Sequence, residues 1–202
     1  MTLTVIDLRA AITRLTVAME REFDALNAAD GALGDGDLGV TLTRGMRAIS
    51  DLSQGLPDDL GQALLACAQA FTKTSGSSYG TLMATGLMAM AKTLRGRTEV
   101  APSEVSALIA GARDAMQARG KADLGGKTVL DSLDAMAKAT AGLTDPNAVA
   151  EAAATAAVAA QAQMKGRIAT IGRARIFSEK TIGMDDPGML AMTAIAQAMA
   201  GR

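Results

Sequence analysis

A chain of 202 residues with only four aromatic side chains, Phe23, Phe71, Phe177 and Tyr79, has little with which to fill a β-sandwich. Its apolar half must instead pack through Ala, Leu, Ile, Val and 13 Met. Small side chains favour close contact between helices. The spacing of the apolar residues agrees, because helical periodicity recurs along the chain and no stretch alternates with period two for long.

Eight helices are expected. The first runs from Leu3 to about Leu26 and the second from Gly39 to about Leu52. Pro57-Asp58-Asp59 opens a third, with both aspartates in the first turn, reaching about Phe71. Ser78 to about Leu94 forms the fourth. Pro102-Ser103-Glu104 starts a fifth that stops at Arg119-Gly120. The sixth spans Thr128 to about Ala141, the seventh begins at Asp145-Pro146, and the eighth runs from Pro187 to about Ala200. The simplest arrangement is all-α, an eight-helix antiparallel up-and-down bundle in one domain covering 1–202.

Composition excludes several functions. A net charge of −1 offers no basic surface for nucleic acid or an anionic membrane. No segment has the length and apolarity of a membrane span, and the N-terminus lacks a signal-peptide pattern. Cys67 is the single cysteine, which suits a reducing, cytoplasmic setting. With no His, zinc and copper sites and the Ser-His route to acyl transfer are closed.

Function is sought in four glycine-bearing loops, Asn27–Gly39, Thr72–Gly80, Gly120–Thr128 and Gly166–Gly188. Up-and-down helices put all four at one end of the bundle. The first crowds Asp30, Asp35 and Asp37 together, and their mutual repulsion would be relieved by a hard divalent cation. The competing reading is a solvated turn with a helix N-cap. An EF-hand is ruled out, since Ala32 and Gly34 stand at positions 3 and 5 from Asp30, and Met46 at position 12 from Asp35. Leu38-Gly39-Val40-Thr41 would then open a helix whose N-terminus attracts phosphate.

Lys73-Thr-Ser-Gly-Ser-Ser-Tyr-Gly80 is either a second phosphate cradle or a hydroxyl-rich cap. Gly125-Gly-Lys-Thr128 is not a P-loop, because Lys121 stands where the motif needs Gly and no strand precedes it; Lys127 and Thr128 remain candidates to line the site. Arg173 or Arg175 is suited to pairing with phosphate, and Asp186-Pro187-Gly188 makes a rigid helix start. Phosphoryl transfer, which depends mostly on positioning and charge neutralisation, is the chemistry left open.

Taken together, Asn27-Ala-Ala-Asp30 with Gly34-Asp-Gly-Asp37, Ser75-Gly-Ser-Ser-Tyr-Gly-Thr81, Gly126-Lys-Thr-Val-Leu-Asp131 and Gly172-Arg-Ala…Ile182-Gly…Asp186-Pro-Gly188 resemble the nucleotide-binding L subunit of dihydroxyacetone kinase over nearly the whole chain. The resemblance implies an eight-helix barrel capped at one end by ADP or ATP. It implies that Asp30, Asp35 and Asp37 hold two Mg2+ ions bridging the phosphates. Leu38, Gly39, Val40, Thr41, Ser75 and Gly76 match nucleotide-contacting positions, Gly120 and Val129 match the adenine side, and Arg173 with Asp186, Pro187 and Gly188 completes the pocket.

The family's substrate is a short ketose held by a K subunit through a histidine hemiaminal. A chain without histidine would need that partner. The phosphate donor implied is either ATP or a phosphoprotein of the sugar phosphotransferase system acting on bound ADP. The alternative role is a nucleotide-sensing regulatory module. Leu38 and Thr41 depart from the family's commoner residues there, and Tyr79 and Met83 fall where aromatic residues are frequent.

Overall fold

In the computed structural model, residues 2–74 and 76–202 are described. Nine α-helices occur among them: α1 (Val5–Arg21), α2 (Phe23–Leu33), α3 (Leu38–Leu52), α4 (Leu60–Thr74), α5 (Ser78–Thr93), α6 (Val105–Gly120), α7 (Val129–Thr140), α8 (Pro146–Met164) and α9 (Pro187–Met199). Short 3-10 segments cover Ser53–Gly55, Pro102–Glu104 and Ala174–Thr181. The one strand pairing among the described residues is two residues long. It joins β1 (Leu3–Thr4) antiparallel to β2 (Glu99–Val100), with Leu3 opposite Val100.

Local chemistry explains most boundaries. Thr4 caps α1 in a reciprocal box with Asp7, and Thr128 does the same for α7 with Asp131. Asp145 and Asp186 cap α8 and α9, each followed by Pro at the first helical position. Three expectations fail. The first helix does not end at Leu26: the chain turns at Glu22, and α2 carries on to Leu33. Leu26 and Leu33, seven residues apart and both buried, keep the apolar stripe going, with Ala28, Ala29 and Ala32 between them. Pro57 and Asp58 precede the third rod rather than opening it, because Asp59 accepts the Gln62 N–H at 3.0 Å and α4 begins at Leu60. Gly120 does not provide the stop of α6; it is the last helical residue, and Lys121 takes the left-handed position with φ 48°.

Counting α1–α2 as one bent rod leaves eight. Rods adjacent in sequence pack side by side, and α9 returns to α1 to close the ring. One buried cluster, including Met19, Leu42, Leu60 and Phe71, fills the side formed by α1, α3 and α4. A second, built from Met116, Leu130, Leu133, Met136 and Ala157, fills the side formed by α6, α7 and α8. Small residues set the spacing. A methyl on Gly45 would lie 2.2 Å from the Phe71 ring, so α3 and α4 approach only because position 45 is glycine. No described helix is long and apolar enough to cross a membrane.

Candidate metal and phosphate site

α3, α5, α7 and α9 all begin at the same end of the ring, and the four loops meet there. Arg173 ion-pairs with Asp35, Thr170 N–H reaches Gly126 O at 3.2 Å, and Tyr79 Oη donates to Gly188 O at 3.2 Å. The loops are shorter than expected. Asp30 sits on the last turns of α2, α4 runs on to Thr74 and α5 begins at Ser78, and the fourth loop contains the 3-10 segment Ala174–Thr181. Ser75 lies outside the described residues, while Gly76 sits exposed just ahead of α5.

The acidic corner is built by backbone proximity. α2 ends, the chain reverses through Gly34–Asp37, and α3 begins. Gly36 makes the reversal at φ 77°, a conformation other residues adopt with strain. The Asp37 N–H donates to Asp30 Oδ2 at 3.0 Å, binding the two arms together. As a result Asp30, Asp35 and Asp37 each present a carboxylate oxygen within 4.8 Å of the others.

The competing reading, a turn with an Asp cap, is tested directly here. Asp37 occupies the N-cap position of α3 but its carboxylate makes no capping bond. Asn27, on α2, caps instead: its Oδ1 accepts the N–H groups of Gly39 at 2.8 Å and Val40 at 3.3 Å. Gly39 permits this contact, since a Cβ there would lie 2.3 Å from Phe23 O and 2.8 Å from Asn27 Oδ1. The capping partner comes from twelve residues upstream, so the aspartate is released from structural duty. Nothing in the local sequence signals it, although Asn27 stands in the stretch that carries the family resemblance.

Charge in the corner is unevenly shared. The Arg173 guanidinium holds the Asp35 carboxyl below its ordinary value. Partial desolvation, followed by the charges of Asp35 and Asp30, pushes Asp37 up. Three clustered carboxylates balanced by one exposed Arg form a donor set of hard oxygens, and that set fits Mg2+.

The other expected residues occupy varied places. Leu38 and Thr41 are buried and Val40 is half-buried, so the α3 start faces the core with its side chains. Its Gly39 and Val40 amides are already accepted by Asn27, which leaves the helix dipole as the main attraction for anions there. Val129 is buried in the second core cluster, and Gly120 closes α6 beside Leu82. Pro187 is buried and Gly188 abuts the Tyr79 ring, whose hydroxyl pKa is raised by burial. Asp186 accepts the Met189 N–H at 2.9 Å, and burial pushes its carboxyl up to about 6. Arg175 is exposed. Lys127 does not line the site: its side chain is turned inward and is 1% exposed.

The described helices close into an all-α ring, with three clustered carboxylates at the end where four helix N-termini converge. Residues 32–201 match the DAK2 domain, and the chain belongs to that family. Human triokinase/FMN cyclase is 34% identical over 94% of this chain, which covers 35% of that protein. The chain thus spans about a third of the length of its mammalian relatives. The ADP-binding subunit DhaL of the PEP-dependent dihydroxyacetone kinase 2 of Listeria innocua is 30% identical, over 84% of this chain and 82% of the subunit. Among solved structures, the dihydroxyacetone kinase of C. freundii in complex with AMP-PNP and Mg2+ superposes with a TM-score of 0.76 at 26% identity, over 96% of this chain and 33% of that one.

Proposed function

We propose that residues 1–202 form a single Mg-nucleotide-binding domain that serves as the L-type subunit of a short-ketose kinase. It transfers phosphate from ATP, or from ADP recharged by a phosphotransferase-system phosphoprotein, to a ketose carried on the histidine of a partner K subunit. The observation that carries this reading is the released carboxylate cluster: Asn27 caps α3, so Asp37 joins Asp30 and Asp35 within 4.8 Å with no capping role of its own. Like charges are not gathered this closely without an energetic cost, which a bound cation would offset.

Asp30, Asp35 and Asp37 would hold Mg2+, two ions in the fullest version of this reading. Magnesium bound there would neutralise charge developing on the transferring phosphoryl group. The chain's own residues do the rest. The N-terminal dipole of α3 favours an anion beside the cluster. Arg173, exposed and already turned to Asp35, offers a fixed fork of donors to phosphate oxygens. Gly76, Gly120, Val129, Asp186, Pro187 and Gly188 lie on the loops and helix ends around the same end of the ring, and Ser75 belongs to the same connection in sequence. With no histidine, the chain contributes no group able to hold the ketose as the K subunit does.

The test is thermal unfolding of nucleotide-free protein with ADP or ATP, each with and without Mg2+. A ligand at a hundred times its Kd raises native stability by about 2.7 kcal/mol. A large rise that requires nucleotide and metal together is the expected result. No shift under any combination would refute the site.

A further inference from the structure

We propose that Lys127 is a positioning residue: its ammonium gathers both ends of segment 165–182 onto itself and thereby sets Arg173 against the aspartate cluster. The inference rests on the Mg-nucleotide reading of that cluster. Lys127 Nζ donates to Lys165 O at 3.2 Å and Arg167 O at 3.0 Å, both ahead of the 3-10 segment, and to Thr181 O at 2.7 Å, at its end. Three donors thus meet three carbonyls, which fully satisfies a lysine head group that is almost wholly withdrawn from solvent.

The clasp is reinforced by bonds inside the segment. Gly183 N–H donates to Lys165 O at 2.8 Å, and Thr181 Oγ1 accepts the Ala169 N–H at 2.9 Å while donating to Ser178 O at 2.7 Å. Gly126 O accepts the Thr170 N–H from the same segment. Between these anchors the chain carries Arg173, whose ion pair reaches out to Asp35. Lys127 makes no hydrogen bond to Asp30, Asp35 or Asp37 itself, so its influence on the cluster passes through the loop. The backbone of Lys127 is left-handed at φ 61°, an uncommon conformation for a residue with a side chain, in the turn that leads into α7.

A structural lysine and a positioning lysine differ in how they couple to Arg173. Affinity for ADP with Mg2+ is measured by calorimetry on the purified chain for wild type, Lys127→Met, Arg173→Ala and the double variant. Amide hydrogen exchange is followed in parallel across 168–183. Expected is a Lys127→Met protein with wild-type helical circular dichroism, faster exchange confined to 168–183, and affinity weaker by about tenfold or more, the scale of a lost charged hydrogen bond. The double variant should bind no more weakly than Arg173→Ala alone.

Losses that multiply, or unchanged exchange in 168–183, would overturn the proposal. If Lys127→Met does not fold, Lys127→Gln, which keeps an amide donor, is carried through the same comparison with the same criteria. Absence of binding by wild type would defeat the nucleotide reading. In that case the exchange data still judge the clasp, with fast exchange in 168–183 supporting it and wild-type exchange overturning it.

Discussion

Two aspartates stand at the start of two helices at the same end of this barrel, and their carboxylates are used in opposite ways. Asp186, at the N-cap of α9, accepts the Met189 N–H with its Oδ1. Asp37, at the N-cap of α3, accepts no backbone N–H of that helix with its carboxylate. Both carboxyls are pushed upward in pKa, with desolvation the leading cause in each. What separates them is a third residue. Asn27 reaches across from α2 and satisfies the first amides of α3, and no residue does the same for α9 among the described bonds. Whether an N-cap aspartate is structural or available for chemistry is therefore decided by its neighbours, not by its own position.

The widest gap between the two should appear in ligand binding. Asp37→Ala is expected to eliminate Mg-nucleotide binding by calorimetry while shifting stability by no more than about 0.5 kcal/mol, because no cap is lost. Marked destabilisation of this variant would mean that Asp37 is structural after all. Next in size is Gly39→Ala. Its methyl would collide with Phe23 O, and the cost in chemical denaturation should reach about 3 kcal/mol, with the α2–α3 corner forced open. Asn27→Ala removes the acceptor for two amides and should cost about 1–2 kcal/mol. It should weaken Mg2+ affinity as well, since Asp37 would be drawn back to capping; unaltered affinity would break the comparison.

The smallest effect concerns Asp186. Its folded pKa, near 6, lies above its ordinary value of 3.8, so the native state holds its proton more tightly than the unfolded chain does. The sign follows: this group's contribution to stability falls as pH rises from about 4 to about 6, and below that window the penalty is absent. Asp186→Asn keeps a capping oxygen and removes the charge. It should flatten that part of the stability–pH profile and stabilise the protein at pH 7. An undiminished slope in the Asn variant would place the titrating group elsewhere.

Helix starts marked by their own residues were legible from sequence. Thr128 with Asp131, Asp145 with Pro146 and Asp186 with Pro187 fall where local capping chemistry puts them. The end of the first rod was not, because Asn27, Asp30 and Gly31 are turn-forming residues by type. They remain helical because Leu26 is buried in the ring's core and Leu33 against Ala169 and Ala174 of the segment between α8 and α9. The acidic cluster could be read from spacing alone, since Asp35 and Asp37 are separated by one residue. Its release from capping could not, because the decisive bond spans twelve residues. Lys127 was further out of reach. Its three carbonyl partners lie 38 to 54 residues away, and by sequence it stood only as a candidate to line the site, not as a buried cation.

The closure of the ring also sets an order of events for a chain emerging from a ribosome. α9 belongs to both interiors: Ala191, Ala194 and Ala198 face one apolar cluster, while Met192 and Ala196 face the other. Every earlier helix can find its predecessor as it is made, but neither interior has its last wall until Pro187–Met199 arrives. Nascent chains shorter than this would expose apolar surface on both sides of the gap. Synthesis of one thirteen-residue helix therefore completes two cores at once.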